Sequence, residues 1–518
     1  MFYYLLNKLP GYLGSFLNEK LKDGSARSLN HIVKKMNDFG VPIPESGRLR
    51  FFSTLAIFFL IAFIYDILRT IKIALIVSQD AGAEIIPFIK IWGILPGTFL
   101  FALLFTLLVR RLGMGKVFYV MVSLFLAFYF LFIAFIYPNR EFLEFHSGAE
   151  FLQAFLPQGA KGFVAMVRYW HYTLFYLFAE LWGNIILNML FWGFVNEITV
   201  FSDAKRYYSV FALSANIAPV IAGHFCLSFK NTDWDQSLNY FISTVLIAGV
   251  LLLAFFHLLS QLIDKEHRSE LNRHHFHEDD SHEKFSLKES FRYVYRSKHL
   301  TYVMIVVLGY YIVYNLADVL WTDQIGLRFK GDTGALNSYL NRVSTIKGII
   351  ATFLALFISG KVIEKFGWYV AAMITPVLLA ITSFLFFLSI FYDQGMFGDV
   401  LHGVISSPFI YVVVTVGTIQ HCLVRASKYT VFDATKEMAF IPLSRSSQRM
   451  GKAVIDGIGA RIGKSGGSFV FQFLLYFLGS LSATVPYVAV ITGIILIAWI
   501  FAVTKLKNEI QDKLDEAV

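Results

Sequence analysis

The chain has 518 residues, 56% hydrophobic, 17% aromatic and only 16% charged, with a net charge of +9. A soluble domain carries about 25% charged residues, so this depletion excludes an ordinary water-solvated fold and makes lipid the solvent. The surplus of Lys and Arg then belongs in loops beside the membrane rather than on a nucleic-acid surface. Cys226 and Cys422, the only cysteines, fall in or beside apolar stretches and do not suggest a disulfide framework.

Met1–Arg50 holds eight Lys/Arg and four Asp/Glu, with no lone apolar core followed by small residues, so it does not read as a cleavable signal. Its stretch Phe2–Leu21 is amphipathic and suits the membrane surface. Apolar stretches then follow at 52–77, 90–110, 117–137, 172–197, 206–226 and 239–264. A hydrophilic, basic loop at 265–299 separates them from a second set at 300–326, 346–364, 368–391, 402–424, 465–481 and 485–505. A spanning helix needs about 20 mostly apolar residues, because in hydrocarbon only bonds within the segment satisfy its backbone. The expected fold is therefore an all-α membrane protein of twelve transmembrane helices in two six-helix halves. Its expected divisions are an N-terminal segment 1–50, bundles 51–264 and 300–506, the central loop 265–299 and a tail 507–518.

Lys and Arg collect on one side of this topology: in the N-terminal segment, at Arg110, Arg111 and Lys116, at Lys205 and Arg206, at Lys361 and Lys365, and eight each in the central loop and in 425–464. Asp80, Glu84, Glu141, Glu144, Asp233, Asp235, Asp393 and Asp399 take the other side. The bias places both termini in the cytoplasm. A loop bearing Arg328, Lys330 and Arg342 breaks the pattern. The halves also echo each other: Arg110-Arg111-Leu112-Gly113 after the second span matches Glu364-Lys365-Phe366-Gly367 after the eighth. Joined to the count of six and six, that echo points to a major-facilitator-like architecture with its site between the bundles.

Ionisable residues inside spans cost several kcal/mol unless paired or facing water, so each is a candidate for function. The first span holds Asp66, Arg69 and Lys72, the first two spaced to pair on one helix face. Lys90 opens the second span, Glu180 lies among aromatics in the fourth, Asp318 sits near Trp321 in the seventh, and Lys464 begins the eleventh. Any one of these groups would serve equally as a brace. Lysines and arginines in both halves together suit a polyanion, since phosphates are bound by such cations. Glu180 and Asp318 would pair with the lysines in an empty site or carry a proton. Gly463-Lys464-Ser465 is not a P-loop, because Ile458 stands where that pattern needs glycine. Its glycines are expected instead to open a helix whose amides face an anion. The tract His267, His274, His275, His277 and His282 reads as solvated loop, with no metal expected.

At several stretches the chain resembles the ATP/ADP translocases, or nucleotide transporters, of plastids and of obligate intracellular bacteria such as chlamydiae and rickettsiae. These are Gly82-Ala-Glu-Ile-Ile-Pro-Phe-Ile-Lys90 with Trp92; Ala179-Glu-Leu-Trp-Gly183; Leu190-Phe-Trp-Gly-Phe-Val-Asn196; and Ala204-Lys-Arg-Tyr-Tyr208. Ala215-Asn-Ile-Ala-Pro219, the run Phe432–Pro442, Gly451–Asp456 and Gly463–Gly467 complete the set. The resemblance implies nucleotide movement by alternating access without hydrolysis, and puts important family charges on Lys90, Glu180, Lys464 and, shortened by one methylene from glutamate, Asp318. The substrate-binding set is thus Lys72, Lys90, Trp92, Tyr176, Glu180, Asn216, Asp318, Lys436 and Lys464, with Tyr176 and Trp92 offered to the base. Ile73 replaces a family aspartate, and Thr322 a family lysine after Trp321. These departures keep proton-coupled import of nucleoside triphosphates, or NAD uptake, beside ATP/ADP exchange. Another anionic solute, or a scaffold that transports nothing, are the remaining alternatives. The expected ligands are nucleotides, with phosphate or protons as further partners. No catalysis, cofactor or nucleic acid is expected, and the chain is read as a monomer of a bacterial inner membrane.

Overall fold

A computed structural model describes residues 48–198, 201–270, 287–357, 359–395 and 409–515. Phe2–Leu21, the histidines from His274 to His282 and most of the 1–50 segment lie outside these residues. The described chain is helical, with no strand among the described residues. Its long helices are α1 (Arg48–Val77), α2 (Gly82–Leu112), α3 (Met114–Ile136), α4 (Trp170–Asn196), α5 (Phe201–Leu227) and α6 (Trp234–Glu270). They continue with α7 (Lys298–Arg328), α8 (Thr333–Phe357), α9 (Ser359–Asp393), α10 (Ile410–Met438), α11 (Ala460–Leu478) and α12 (Leu481–Asp515).

Among the described residues, nine helical stretches are long and apolar enough to cross a bilayer, and the chain is a multi-pass membrane protein. The stretches that fall short lie in α5, α8 and α11. Each carries polar groups into the interior: Ser214 on α5, Asn337, Asn341 and Lys347 on α8, and Ser468 on α11 are buried. The all-helical membrane architecture is the expected one.

Polar interiors also explain two displaced boundaries. The eighth span was expected at 346–364, yet α8 begins at Thr333. Its first half holds Asn337, Asn341 and Arg342, which push an apolar window toward the C-terminus. Arg342 is therefore within a helix, not in the loop expected for it. The eleventh span, expected at 465–481, is preceded by helix from Arg445 through a π-helical stretch Ala453–Gly459 that runs into α11.

The echo between the halves has a backbone counterpart. Gly113, between α2 and α3, has φ 76° and ψ 158°, and Gly367, where α9 bends, has φ 76° and ψ 171°. Only glycine adopts this region without strain, so the same residue ends the same short connection in both halves.

Within the first half α1 is the central element, packed by α4, α5 and α6; in the second, α7 is packed by α10, α11 and α12. The halves meet along α5–α8, α1–α8 and α2–α11. Where α5 and α8 cross, a side chain on Gly348 would stand 2.9 Å from the Asn216 carbonyl, so glycine sets the approach. A ladder ties α1 to α8: Ser344 Oγ donates to both oxygens of Asp66 (2.7 and 2.8 Å), Thr70 Oγ1 to Asn341 Oδ1 (3.2 Å), and Thr333 Oγ1 to Ser78 Oγ (2.8 Å). At the Ser78 end, Gln472 Nε2 donates to the Pro87 carbonyl (2.9 Å) and Leu481 N to Glu84 Oε1 (3.1 Å). Toward Arg48, α1 instead packs within its own half, stacking Phe58 on Phe191 at 4.3 Å and accepting from Trp182 Nε1 at the Ile61 carbonyl (3.1 Å). Among the described residues, these hydrogen bonds fasten the halves at the Ser78 end of the molecule.

Candidate functional site

Lys72 lies on the face of α1 that turns toward α4 and is 4% exposed. Its ammonium forms an ion pair with Glu180 and stands 4.5 Å from the centroid of the Tyr176 ring. Tyr176 and Glu180 are four apart on α4 and so share a face. An ammonium at this depth is tolerated because a carboxylate and an aromatic face both meet it.

Lys90 belongs to the π-helical turn Ile89–Ile94 of α2. A single extra residue per turn re-aims side chains, and such turns recur at functional sites. Lys90 reaches across the seam to Asp318 of α7, 3.6 Å away. The other oxygen of Asp318 faces His421 Nδ1 at 3.7 Å. His421, from α10, is stacked on Trp321 at 4.3 Å with 14° between planes, and its Nε2 is 3.3 Å from the Tyr314 hydroxyl. Tyr314, Asp318 and Trp321 follow the helical spacing of one α7 face.

Lys464 is exposed, with its ammonium 5.4 Å from the Tyr311 centroid. Lys90 and Lys464 are the further cations acting on Glu180, beyond Lys72. The expectation that the glycines around Lys464 open a helix is wrong: α11 is already running at Ala460, and its amides are engaged in helix bonds. The glycines serve packing instead. A side chain on Gly463 would stand 2.8 Å from Tyr311 Cβ, and one on Gly467 2.8 Å from Asn315 Oδ1. Spaced four apart, they let α7 approach, and Asn315 Nδ2 then donates to the Lys464 carbonyl (2.9 Å).

Lys72, Lys90, Tyr176, Glu180, Asp318 and Lys464 are thus gathered around one region between the bundles. Three expected residues are elsewhere. Trp92 is 59% exposed and packs edge-on to Phe163 at 6.2 Å. Lys436 is held by Asp456 (2.8 Å) and Glu437 (3.0 Å), the latter also bound by Lys452 (2.6 Å). Asn216 lies on the α5–α8 seam. Asp66 does not pair with Arg69 as its spacing suggested; Ser344 takes both its oxygens.

His421 and Lys347 escaped the sequence reading, although each stands inside an expected span. The rule that selected Lys72 would have selected them, since both are ionisable and both are buried, at 5% and 6% exposure.

A profile described as TLC ATP/ADP transporter matches residues 27–510. The chain belongs to that family. It is a membrane transporter, not an enzyme. Among curated relatives, ADP,ATP carrier protein 1 of Chlamydia muridarum is 36% identical, covering 92% of this chain and 91% of that carrier. ADP,ATP carrier protein 2 of Chlamydia pneumoniae is 34% identical, with 92% of each chain covered. ADP,ATP carrier protein 4 of Rickettsia prowazekii is 31% identical over 96% of this chain and 99% of that one. Among solved structures, a D-xylose–proton symporter superposes with a TM-score of 0.48 at 12% identity, covering 88% of this chain and 95% of that chain.

Proposed function

We propose that this chain exchanges ATP for ADP across the membrane by alternating access, with Lys72, Lys90 and Lys464 taking the phosphates. Glu180 and Asp318 hold two of these lysines while the site is empty. The observation that carries the reading is the Lys90–Asp318 ion pair, because it joins α2 of one half to α7 of the other. In the empty carrier this pair resists separation of the halves. A bound polyanion draws Lys90 away from Asp318 and releases that restraint. Only the loaded carrier then reorients freely, which is the requirement for exchange. The names of the chlamydial and rickettsial relatives support the same substrates.

All twelve long helices cross the membrane in this reading, with divisions 1–50, 51–264, 265–299, 300–506 and 507–518. The Lys/Arg bias puts both termini in the cytoplasm of a bacterial inner membrane, so the fastened Ser78 end faces outward and the site opens inward. The carrier acts as a monomer. Proton-coupled import is the second reading, favoured by one contact: Asp318, a carboxylate inside a span, meets His421 as well as Lys90.

Labelled ATP binding to the purified protein tests the substrate class. ADP should displace the label, whereas a sugar phosphate, a dipeptide or a cationic drug should not. Equal displacement by a sugar phosphate would assign the site to another anionic solute.

A further inference from the structure

A second pocket lies on the seam between the halves, lined by Asn216 of α5, Ser344, Lys347 and Gly348 of α8, and Arg425 of α10. Lys347 is 6% exposed. Among the described residues it has no carboxylate within 4 Å and donates no side-chain hydrogen bond; its one close partner is the Trp321 ring, 5.7 Å from the ammonium. Arg425, a charge of its own sign, lines the same pocket. Asp66 accepts from Ser344 on the same α8 face but forms no ion pair with Lys347. An ammonium buried in a span beside a guanidinium group is costly, and a residue needed only for packing would be Met or Leu. Lys72 and Lys90 each meet a carboxylate, so Lys347 departs from the rule that its own neighbours follow.

We propose that Lys347, Arg425 and the side-chain amide of Asn216 form a second oxyanion subsite that takes a phosphoryl group, separate from the Lys72 and Lys90 pairs. The donor set suits the ligand: a point charge, a planar fork and a neutral amide line one pocket, and all three donate to phosphoryl oxygens. The pocket is connected to the first site. Lys347 faces Trp321, Trp321 stacks on His421, and His421 touches Asp318, the partner of Lys90. The proposal rests on the reading of the chain as a nucleotide carrier. Its phosphoryl group is either the far phosphate of a bound nucleotide or free inorganic phosphate held beside one.

The test compares wild type with Lys347→Met and Lys347→Arg, measuring binding of ATP, ADP, AMP and inorganic phosphate, and thermal unfolding in detergent without ligand. Losing one charge-assisted contact weakens binding about 10- to 100-fold. If the subsite holds a nucleotide's far phosphate, Lys347→Met loses that factor for ATP and leaves AMP unchanged. If it holds free phosphate, the nucleotides bind as before and phosphate loses the factor. Lys347→Arg retains most of the affinity in either case. Unliganded Lys347→Met should unfold at a higher temperature than wild type, because an uncompensated buried charge is gone. A folded Lys347→Met that binds all four ligands like wild type overturns the subsite. Wild type that binds none of them overturns the carrier reading instead.

Discussion

Replacing Lys72 by methionine should lower ATP affinity about 100-fold and abolish uptake, because a buried ammonium that contacts a phosphate contributes about 1.5–3 kcal/mol or more. The partner substitution separates this role from bracing. Glu180→Gln leaves Lys72 as an uncompensated charge, which costs about 3–5 kcal/mol, so that variant should be much less stable in detergent. The double variant Lys72→Met/Glu180→Gln removes both charges together and should regain most of that stability. Its uptake should remain absent. If the pair were only a brace, the double variant would fold and transport; uptake near wild type would therefore remove Lys72 from the substrate site. Thermal unfolding and proteoliposome uptake of the three variants give the answer.

The second large effect concerns the fastened end. Thr333 Oγ1 and Ser78 Oγ are 2.8 Å apart, on α8 and just beyond α1. Two hydroxyls in hydrogen-bond contact place their Cβ atoms near the separation that a disulfide spans, roughly 3.5–4.5 Å. Ser78→Cys/Thr333→Cys should crosslink readily under mild oxidation, while Cys226 and Cys422 are buried and so shielded from the oxidant. Crosslinking fixes this end closed. Transport should stop completely and return on reduction, whereas nucleotide binding from the opposite side persists. Quantitative crosslinking with undiminished uptake would show that the halves need not part at the Ser78 end, contrary to alternating access about this seam.

Much of this molecule was legible in its sequence because lipid imposes a simple code. Long apolar stretches had to be helices, and the charges of Lys72 and Glu180 each stood out against hydrocarbon in the chain itself. The Arg110–Gly113 echo even anticipated a shared backbone conformation at Gly113 and Gly367. What failed was hidden by the same code. The start of α8 was missed because Asn337 and Asn341 are buried inside the protein, where Asn341 meets Thr70 of the other half. Asp66 was assigned to Arg69 by local spacing, but a residue 278 positions away holds it. The glycines around Lys464 were read as a helix start, when they mark where α11 meets α7. The π-helical turn carrying Lys90 has no sequence signature, yet it aims that lysine across the seam. In each case the deciding partner lies in another helix.

The central claim is that only the loaded carrier reorients, because Lys90 and Asp318 tie the halves together when the site is empty. Uptake of labelled ATP by proteoliposomes of the purified protein tests it most directly, comparing vesicles preloaded with ADP against empty vesicles, with and without an inward proton gradient. Exchange predicts rapid uptake with ADP inside and none into empty vesicles under either condition. Uptake into empty vesicles that follows the proton gradient would contradict the account and make the Asp318–His421 contact the first place to look for the proton.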